Sequence, residues 1–191
     1  MTVGVLLLAA GRSRRYGSDK RLARMEDGRR LLDVSVSSVV SSGLPLLVCV
    51  GKADMQIFAD LTSRHIPCVT SAGCVSGMGS TLADGMASVP TAWTAVIIGL
   101  ADMPMIKPAT YRLIANALGQ GRIVTPEYQG QRGHPVGFDQ RYFHRLKSLR
   151  GAKGARSIID ANRASVIALK VSDPGVLVDV DTPEHLASIQ S

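Results

Sequence analysis

Aromatic residues are scarce: Phe, Trp and Tyr make up 4 % of the 191 residues. The core must therefore come from Leu, Val, Ile and Ala, and a hydrophobic content of 46 % is enough for a sizeable one. Stacking of unpaired bases needs aromatic platforms, so nucleic acid is not an expected partner. Cysteine is scarce and odd in number. Cys49, Cys68 and Cys74 form no CxxC pair, which argues against a disulfide framework and a structural zinc site. Cys49 and Cys68 fall in strand-like runs and read as core residues, whereas Cys74 lies in a Gly/Ser loop. No apolar run reaches the roughly 18–20 residues of a membrane span, so no membrane partner is expected. Met1 to Ala10 is apolar but lacks a basic flank. It reads as a buried first strand rather than a signal peptide, and a cytoplasmic location is the matching expectation. Internal repeats and low-complexity tracts are also missing.

Several catalytic signatures are absent too. There is no GxSxG and no GxGxxG, and His65, His134, His144 and His185 show no metal-ligand spacing. Nucleophilic catalysis and a nicotinamide-type dinucleotide site lose their usual sequence support.

The chain does have alternating apolar runs and amphipathic stretches. Val3–Leu8 is continuously apolar, as a strand buried on both faces of a parallel sheet would be. Strands are expected at Leu46–Val50, Ile66–Thr70 and Thr94–Leu100. Helices are expected at Leu31–Val40, Ala53–Thr62, Ser80–Val89 with Ser80 as N-cap, and Pro108–Leu118 with Pro in its first turn. From Ile123 onward come short strands and two helices, over Gln140–Leu149 and Gly154–Ala161. This order predicts an α/β fold with a largely parallel sheet, which binds ligands at the carboxyl ends of its strands.

The net charge of +7 is unevenly placed. Arg12, Arg14, Arg15, Lys20, Arg21, Arg24, Arg29 and Arg30 crowd one stretch, answered there by Asp19, Glu26 and Asp27, and such a cluster attracts phosphates. Within it lies Leu8-Ala9-Ala10-Gly11-Arg12-Ser13-Arg14-Arg15-Tyr16-Gly17-Ser18-Asp19-Lys20. Gly11 and Gly17 allow backbone N–H groups to approach phosphate oxygens, while Arg15 and Lys20 add charge for a pyrophosphate leaving group. Five residues separate the glycines instead of the Walker four, and Lys is not followed by Ser or Thr, so this is not a P-loop.

The Asp after Leu100 and the loop after Thr70 fall at the same expected edge, and other motifs follow along the chain. Asp102, in Gly99-Leu100-Ala101-Asp102-Met103-Pro104, ends an apolar strand where a carboxylate can hold Mg²⁺ against phosphates. In Val178-Asp179-Val180-Asp181-Thr182-Pro183-Glu184 the two aspartates share one side of an extended segment. Either could complete the metal site, and one could instead cap the following helix. Gly77-Met78-Gly79-Ser80-Thr81-Leu82 feeds a helix N-terminus and could close over a base or ribose. Arg132-Gly133-His134-Pro135 could receive an anionic acceptor, and Gly151-Ala152-Lys153-Gly154-Ala155-Arg156 could serve the same acceptor.

Taken in order, LAAGRSRRYGSDK, GMGSTL, LADMP, RGHPV, GAR and DVDTPE resemble the MobA-like nucleotidyltransferases, in particular the branch with molybdenum cofactor cytidylyltransferase. The likeness runs from about residue 3 to 188. It implies a Rossmann-like three-layer sandwich of the nucleotide-diphospho-sugar transferase type. It further implies a single domain over residues 1–191, nucleotide-binding to about residue 120 and acceptor-side beyond. The implied reaction is Mg²⁺-dependent transfer of NMP from an NTP to a phosphorylated small-molecule acceptor such as molybdopterin, releasing pyrophosphate. On this chain, Arg15, Lys20 and Asp102 would be catalytic. Leu8, Ala9, Ala10, Gly11, Ser13, Arg15, Lys20, Gly77, Gly79 and Ser80 would hold the nucleotide. Arg132, His134 and Arg156 would hold the acceptor, and Asp102 with Asp181 or Asp179 the metal. Ala9-Ala10-Gly11 resembles the cytidylyl branch and favours CTP, and a transient contact with a molybdoenzyme is the implied protein partner. The chain departs from the family at Tyr16 (usually Met), at Ala152 (usually Asp) and at His185 (usually Asp). Three rival readings are a sugar- or alditol-phosphate nucleotidyltransferase, a nicotinamide-dependent oxidoreductase, and a non-catalytic nucleotide sensor or chaperone.

Overall fold

A computed structural model describes residues 1–11, 16 and 19–188. Eight strands form one sheet: β1 (Val3–Ala9), β2 (Leu46–Gly51), β3 (Cys68–Ser71), β4 (Ala95–Leu100), β5 (Ile123–Tyr128), β6 (Gln131–Arg132), β7 (Val136–Asp139) and β8 (Val166–Lys170). Their order is β3-β2-β1-β4-β7-β5-β6, with β8 pairing β5. The pairs β1–β2, β1–β4, β2–β3 and β5–β8 are parallel. The β6–β7 arm runs against its neighbours. The expected α/β architecture with a mostly parallel sheet is therefore the observed one.

The period of two in a strand makes this a three-layer structure. Val3, Val5, Leu7 and Ala9 of β1 enter one core with α1 (Leu31–Ser41), α2 (Met55–Ser63) and α4 (Pro108–Ala117). Leu6 and Leu8 enter the opposite core with α3 (Met78–Ala87), α5 (Phe143–Lys147) and α6 (Arg156–Asp160). Every β1 residue is buried, as the continuous apolar run predicts. Cys49 and Cys68 pack into these layers, and burial pushes their thiols up to about 12 and about 11.

The start of α3 differs from expectation. The helix begins at Met78, not Ser80, after Gly77 at φ +123°. Ser80 is not an N-cap: its hydroxyl accepts from Gly151 N at 2.9 Å, while Gly151 O accepts from the N–H groups of Gly79 and Ser80. A distant loop thus caps the helix. That loop packs so closely that a Cβ on Gly79 would lie 2.3 Å from Lys153 O and one on Gly77 2.6 Å from Ala152 Cα. We expect Gly79→Ala to cost about 1–3 kcal/mol, because backbone must move to admit the methyl group. A shifted urea midpoint with unchanged m-value would register it.

Candidate active site

The carboxyl ends of β1 and β4 face the N-terminus of α3 across a cavity of about 440 Å³. Leu8, Ala9, Ala10 and Gly11 form one wall, Leu100 to Asp102 another, and Gly77, Met78 and Ala152 a third. A smaller hollow of about 320 Å³ adjoins it beyond the end of β2, lined by Gly51 to Asp54 and sharing Ala10, Gly11 and Cys74 with the cavity. The loop after β1 thus borders both.

Lys20 lies at the cavity wall in a short 3-10 turn, Lys20–Leu22, whose first residues are tied by Asp19. The ammonium is buried and donates to Asp102 Oδ2 at 2.7 Å, Val180 O at 2.7 Å and Asp181 Oδ1 at 3.3 Å. These partners stand about 80 and 160 positions away in the chain. A main-chain bond from Val180 N to Asp102 O, at 2.8 Å, brings the two aspartate segments together. Asp181, rather than Asp179, is therefore the residue that shares Lys20 with Asp102. Val180 points the other way, into a small cluster with Leu31 and Leu186, which fixes the side from which Asp181 projects. At the start of α7 (Pro183–Ser188) it is Thr182 whose side chain caps, its Oγ1 accepting from His185 N.

The three oxygens around Lys20 Nζ test the expected metal. Two carboxylates and a carbonyl are hard donors, suited to Mg²⁺ or Mn²⁺. Among the described residues, no group of three or more His, Cys, Asp or Glu side chains could hold a metal ion. The chain would thus give few ligands and leave the others to phosphates and water, as is usual where an ion binds with a nucleotide. The donor set fits.

Arg21 is a site residue that sequence reasoning missed as a separate element. It is buried and binds Asp19, Asp54 and the carbonyl of Ala9. Burial opposes its charge, but hydrogen bonds to Asp54 and Asp19 outweigh this and hold the guanidinium further above its already high range. Arg21 thereby clamps the end of β1 to the turn before α2. No motif announces this, because Asp54 is 33 positions away. Arg29 and Arg30, from the same basic stretch, pair with Asp27 and with Asp33 and Asp60. These arginines serve the scaffold, so the reading of the whole cluster as a phosphate attractor is corrected for them. Ser13 and Arg15 lie outside the described residues.

The acceptor-side expectations separate. Gly133, His134 and Pro135 form a bulge between β6 and β7, with a cis His134–Pro135 peptide. His134 N donates to Val176 O, and Gly133 approaches that carbonyl where a Cβ would not fit. The imidazole is largely buried and, among the described residues, Nδ1 has no hydrogen-bond partner. Burial lowers its pKa, against opposing fields from Asp102 and Asp179, so the ring is neutral near pH 7. Arg132 and Arg156 are exposed, Arg156 lies beside Asp160, and neither lines the cavity. Gly79 and Ser80 also stand behind the wall rather than on it, since their N–H groups and the Ser80 hydroxyl are engaged by the Gly151 loop.

Comparison with known proteins agrees with this geometry. Residues 5–166 match the MobA-like NTP transferase domain. The purine catabolism protein PucB of Bacillus subtilis is 27 % identical over 96 % of this chain and 93 % of its own. The nicotine blue oxidoreductase of Paenarthrobacter nicotinovorans is 27 % identical over 95 % and 93 %. A probable molybdenum cofactor guanylyltransferase of Chloroflexus aggregans is 29 % identical over 100 % and 95 %. Among solved structures, Rv0371c of Mycobacterium tuberculosis in complex with manganese superimposes with a TM-score of 0.83 at 27 % identity, covering 100 % of this chain and 98 % of that one. With nearly the whole sheet and all three walls of the cavity inside the matched span, the chain belongs to the MobA-like NTP transferase family and is a nucleotidyltransferase.

Proposed function

We propose that this nucleotidyltransferase moves the NMP of an NTP, with CTP favoured, onto a phosphorylated acceptor of the molybdopterin type. The observation that carries the reading is the meeting of Lys20, Asp102 and Asp181 at the rim of a cavity opened by Ala9-Ala10-Gly11. Leu8 to Gly11 and Gly77 line the space for the nucleotide, and the adjoining hollow past β2 gives its base further room. Asp102 and Asp181 would hold Mg²⁺ or a similar ion, which when bound supplies charge to the phosphate oxygens.

The residues of this chain act mainly by placement. Lys20, with Arg15 from the same loop, stabilises charge on the leaving pyrophosphate. The acceptor's phosphate oxygen attacks the α-phosphorus in line, the bond to the β-phosphate bridging oxygen breaks, and pyrophosphate leaves with its electron pair. A phosphate monoester is already ionised near neutral pH, so no general base is required. His134, which lies in the fields of Asp102 and Asp179, is the residue of the proposed acceptor motif nearest the carboxylates, and its buried ring would act by shaping that motif. The guanylyltransferase named above makes GTP a specific second reading for the base. The deciding experiment is pyrophosphate release with CTP, GTP or ATP, Mg²⁺, and molybdopterin or sugar-phosphate acceptors. CTP with molybdopterin should give the highest kcat/KM. A sugar phosphate preferred over molybdopterin would overturn the acceptor class, and tight NTP binding without release from any acceptor would overturn transfer.

A further inference from the structure

Lys20 stands where a metal ion would bind. Among the described residues, its ammonium donates to Asp102 Oδ2, Asp181 Oδ1 and Val180 O. The same oxygens are the hard donors that fit a divalent cation. The lysine is 8 % exposed, so in this arrangement its charge is an integral part of the site. A divalent ion placed among these oxygens would meet a like charge at short range, and such repulsion is strong where solvent is thin. The ammonium and the ion therefore compete for one position.

We infer that Lys20 is a place-holding cation that keeps Asp102 and Asp181 paired until a triphosphate or pyrophosphate draws it away. Lys20 gives up its oxygen partners only when phosphate oxygens offer the ammonium a new one. Binding of the ion and of the phosphates is then coupled. The free protein holds divalent ions weakly, and the phosphate-bound protein holds them well. The flexible four-carbon stem of lysine suits this exchange, since it carries a compact charge between nearby partners. Without the ammonium, Asp102 and Asp181 would lose the positive charge they share, and the coupling would be lost: the site would take up a divalent ion without any phosphate. This inference rests on the metal assignment proposed above, and Mn²⁺ binding without and with pyrophosphate tests the two separately.

Mn²⁺ binding to the full chain, followed by electron paramagnetic resonance without nucleotide, is the direct test. Lys20→Met keeps much of the stem but removes the charge, and Lys20→Arg keeps a charge. Lys20→Met should bind Mn²⁺ at least about tenfold more tightly than wild type, because the competing charge is gone. Lys20→Arg should bind it no more tightly than wild type. Equal or weaker binding by a cooperatively melting Lys20→Met protein would overturn the place-holding role while leaving the metal site intact. Failure of Lys20→Met to bind Mn²⁺ without phosphate would overturn the place-holding role, and failure of both proteins to bind it even with inorganic pyrophosphate added would overturn the metal assignment itself. Should Lys20→Met not fold, the wild-type Lys20 ammonium, followed by ¹⁵N NMR, decides the matter. Its resonance should stay in place with Mg²⁺ alone and move with Mg²⁺ and inorganic pyrophosphate. Movement with Mg²⁺ alone, or none with pyrophosphate, would count against the inference.

Discussion

Asp102→Ala should lower pyrophosphate release by roughly 10²–10⁴-fold, the loss that accompanies several kcal/mol of withdrawn charge stabilisation. The fold should survive the change. Asp102 is partly exposed, and its main-chain bond from Val180 N does not depend on the side chain. Lys20 would keep Val180 O and Asp181 as partners. Asp102→Asn is the sharper variant, since it preserves size and one carbonyl oxygen while removing the charge. It should lose nearly as much activity as the alanine variant, because an amide oxygen is a poor substitute for a carboxylate on a divalent ion. The check is kcat/KM with the best nucleotide and acceptor, alongside thermal melting. Near-normal turnover by either variant with an intact melt would sink the metal assignment.

The elements that carry the ligand edge were legible because their signals are local. A continuous apolar run marks β1, and Leu100-Ala101-Asp102 marks the end of β4, so Asp102 could be placed at the edge before any contact was known. The i, i+2 spacing narrowed the second aspartate to Asp179 or Asp181. What selected between them is non-local: the bond from Val180 N to Asp102 O and the burial of Val180. The N-cap assignment to Ser80 failed for a similar reason. Gly77 and Gly79 look like a flexible nucleotide loop in sequence, yet their missing side chains make room for residues 151–153. A glycine needed for another loop's approach is indistinguishable in sequence from one needed for a ligand's approach.

The charge distribution shows the same limit. The crowded arginines near the N-terminus drew attention because they are adjacent in sequence, but Arg29 is matched by the neighbouring Asp27, and Arg21 and Arg30 by Asp54, Asp33 and Asp60 from later in the chain. Residues 140–165 hold seven basic side chains and one acidic one, so this stretch accounts for +6 of the net +7. Its arginines and lysines are exposed, and among the described residues Asp160 is the carboxylate that pairs with any of them. The net positive field is thus on the C-terminal part of the chain, where α5 and α6 cover the second core and Ala152 reaches the cavity. A field of that sign raises the local concentration of anions and weakens with salt.

The largest expected loss of stability lies away from the chemistry, at Asp173. This carboxylate is 3 % exposed and joins three segments. Oδ2 accepts from Lys107 N at 2.9 Å and from Thr110 Oγ1 at 2.5 Å, while Oδ1 accepts from Gly175 N at 3.0 Å. The first two contacts place a negative charge at the N-terminus of α4, where the helix dipole favours it. The third shapes the turn Pro174–Leu177, whose Val176 carbonyl in turn holds His134 N. Asp173→Ala would leave these buried donors without an acceptor, at a cost of about 3–5 kcal/mol. For a chain of this size that corresponds to a fall in Tm of roughly 10 °C. Asp173→Asn retains one carbonyl oxygen and should lose about half as much. Because the Val176 carbonyl of this turn holds His134 N, in the proposed acceptor motif, the alanine variant should also raise the KM for the acceptor at temperatures where it remains folded. Calorimetric melting of the two variants, with acceptor titrations below the transition, separates the effects. A Tm within a degree or two of wild type for Asp173→Ala would show that water replaces the carboxylate at little cost. In that case the placement of Asp181 would depend on the Val180–Asp102 bond instead.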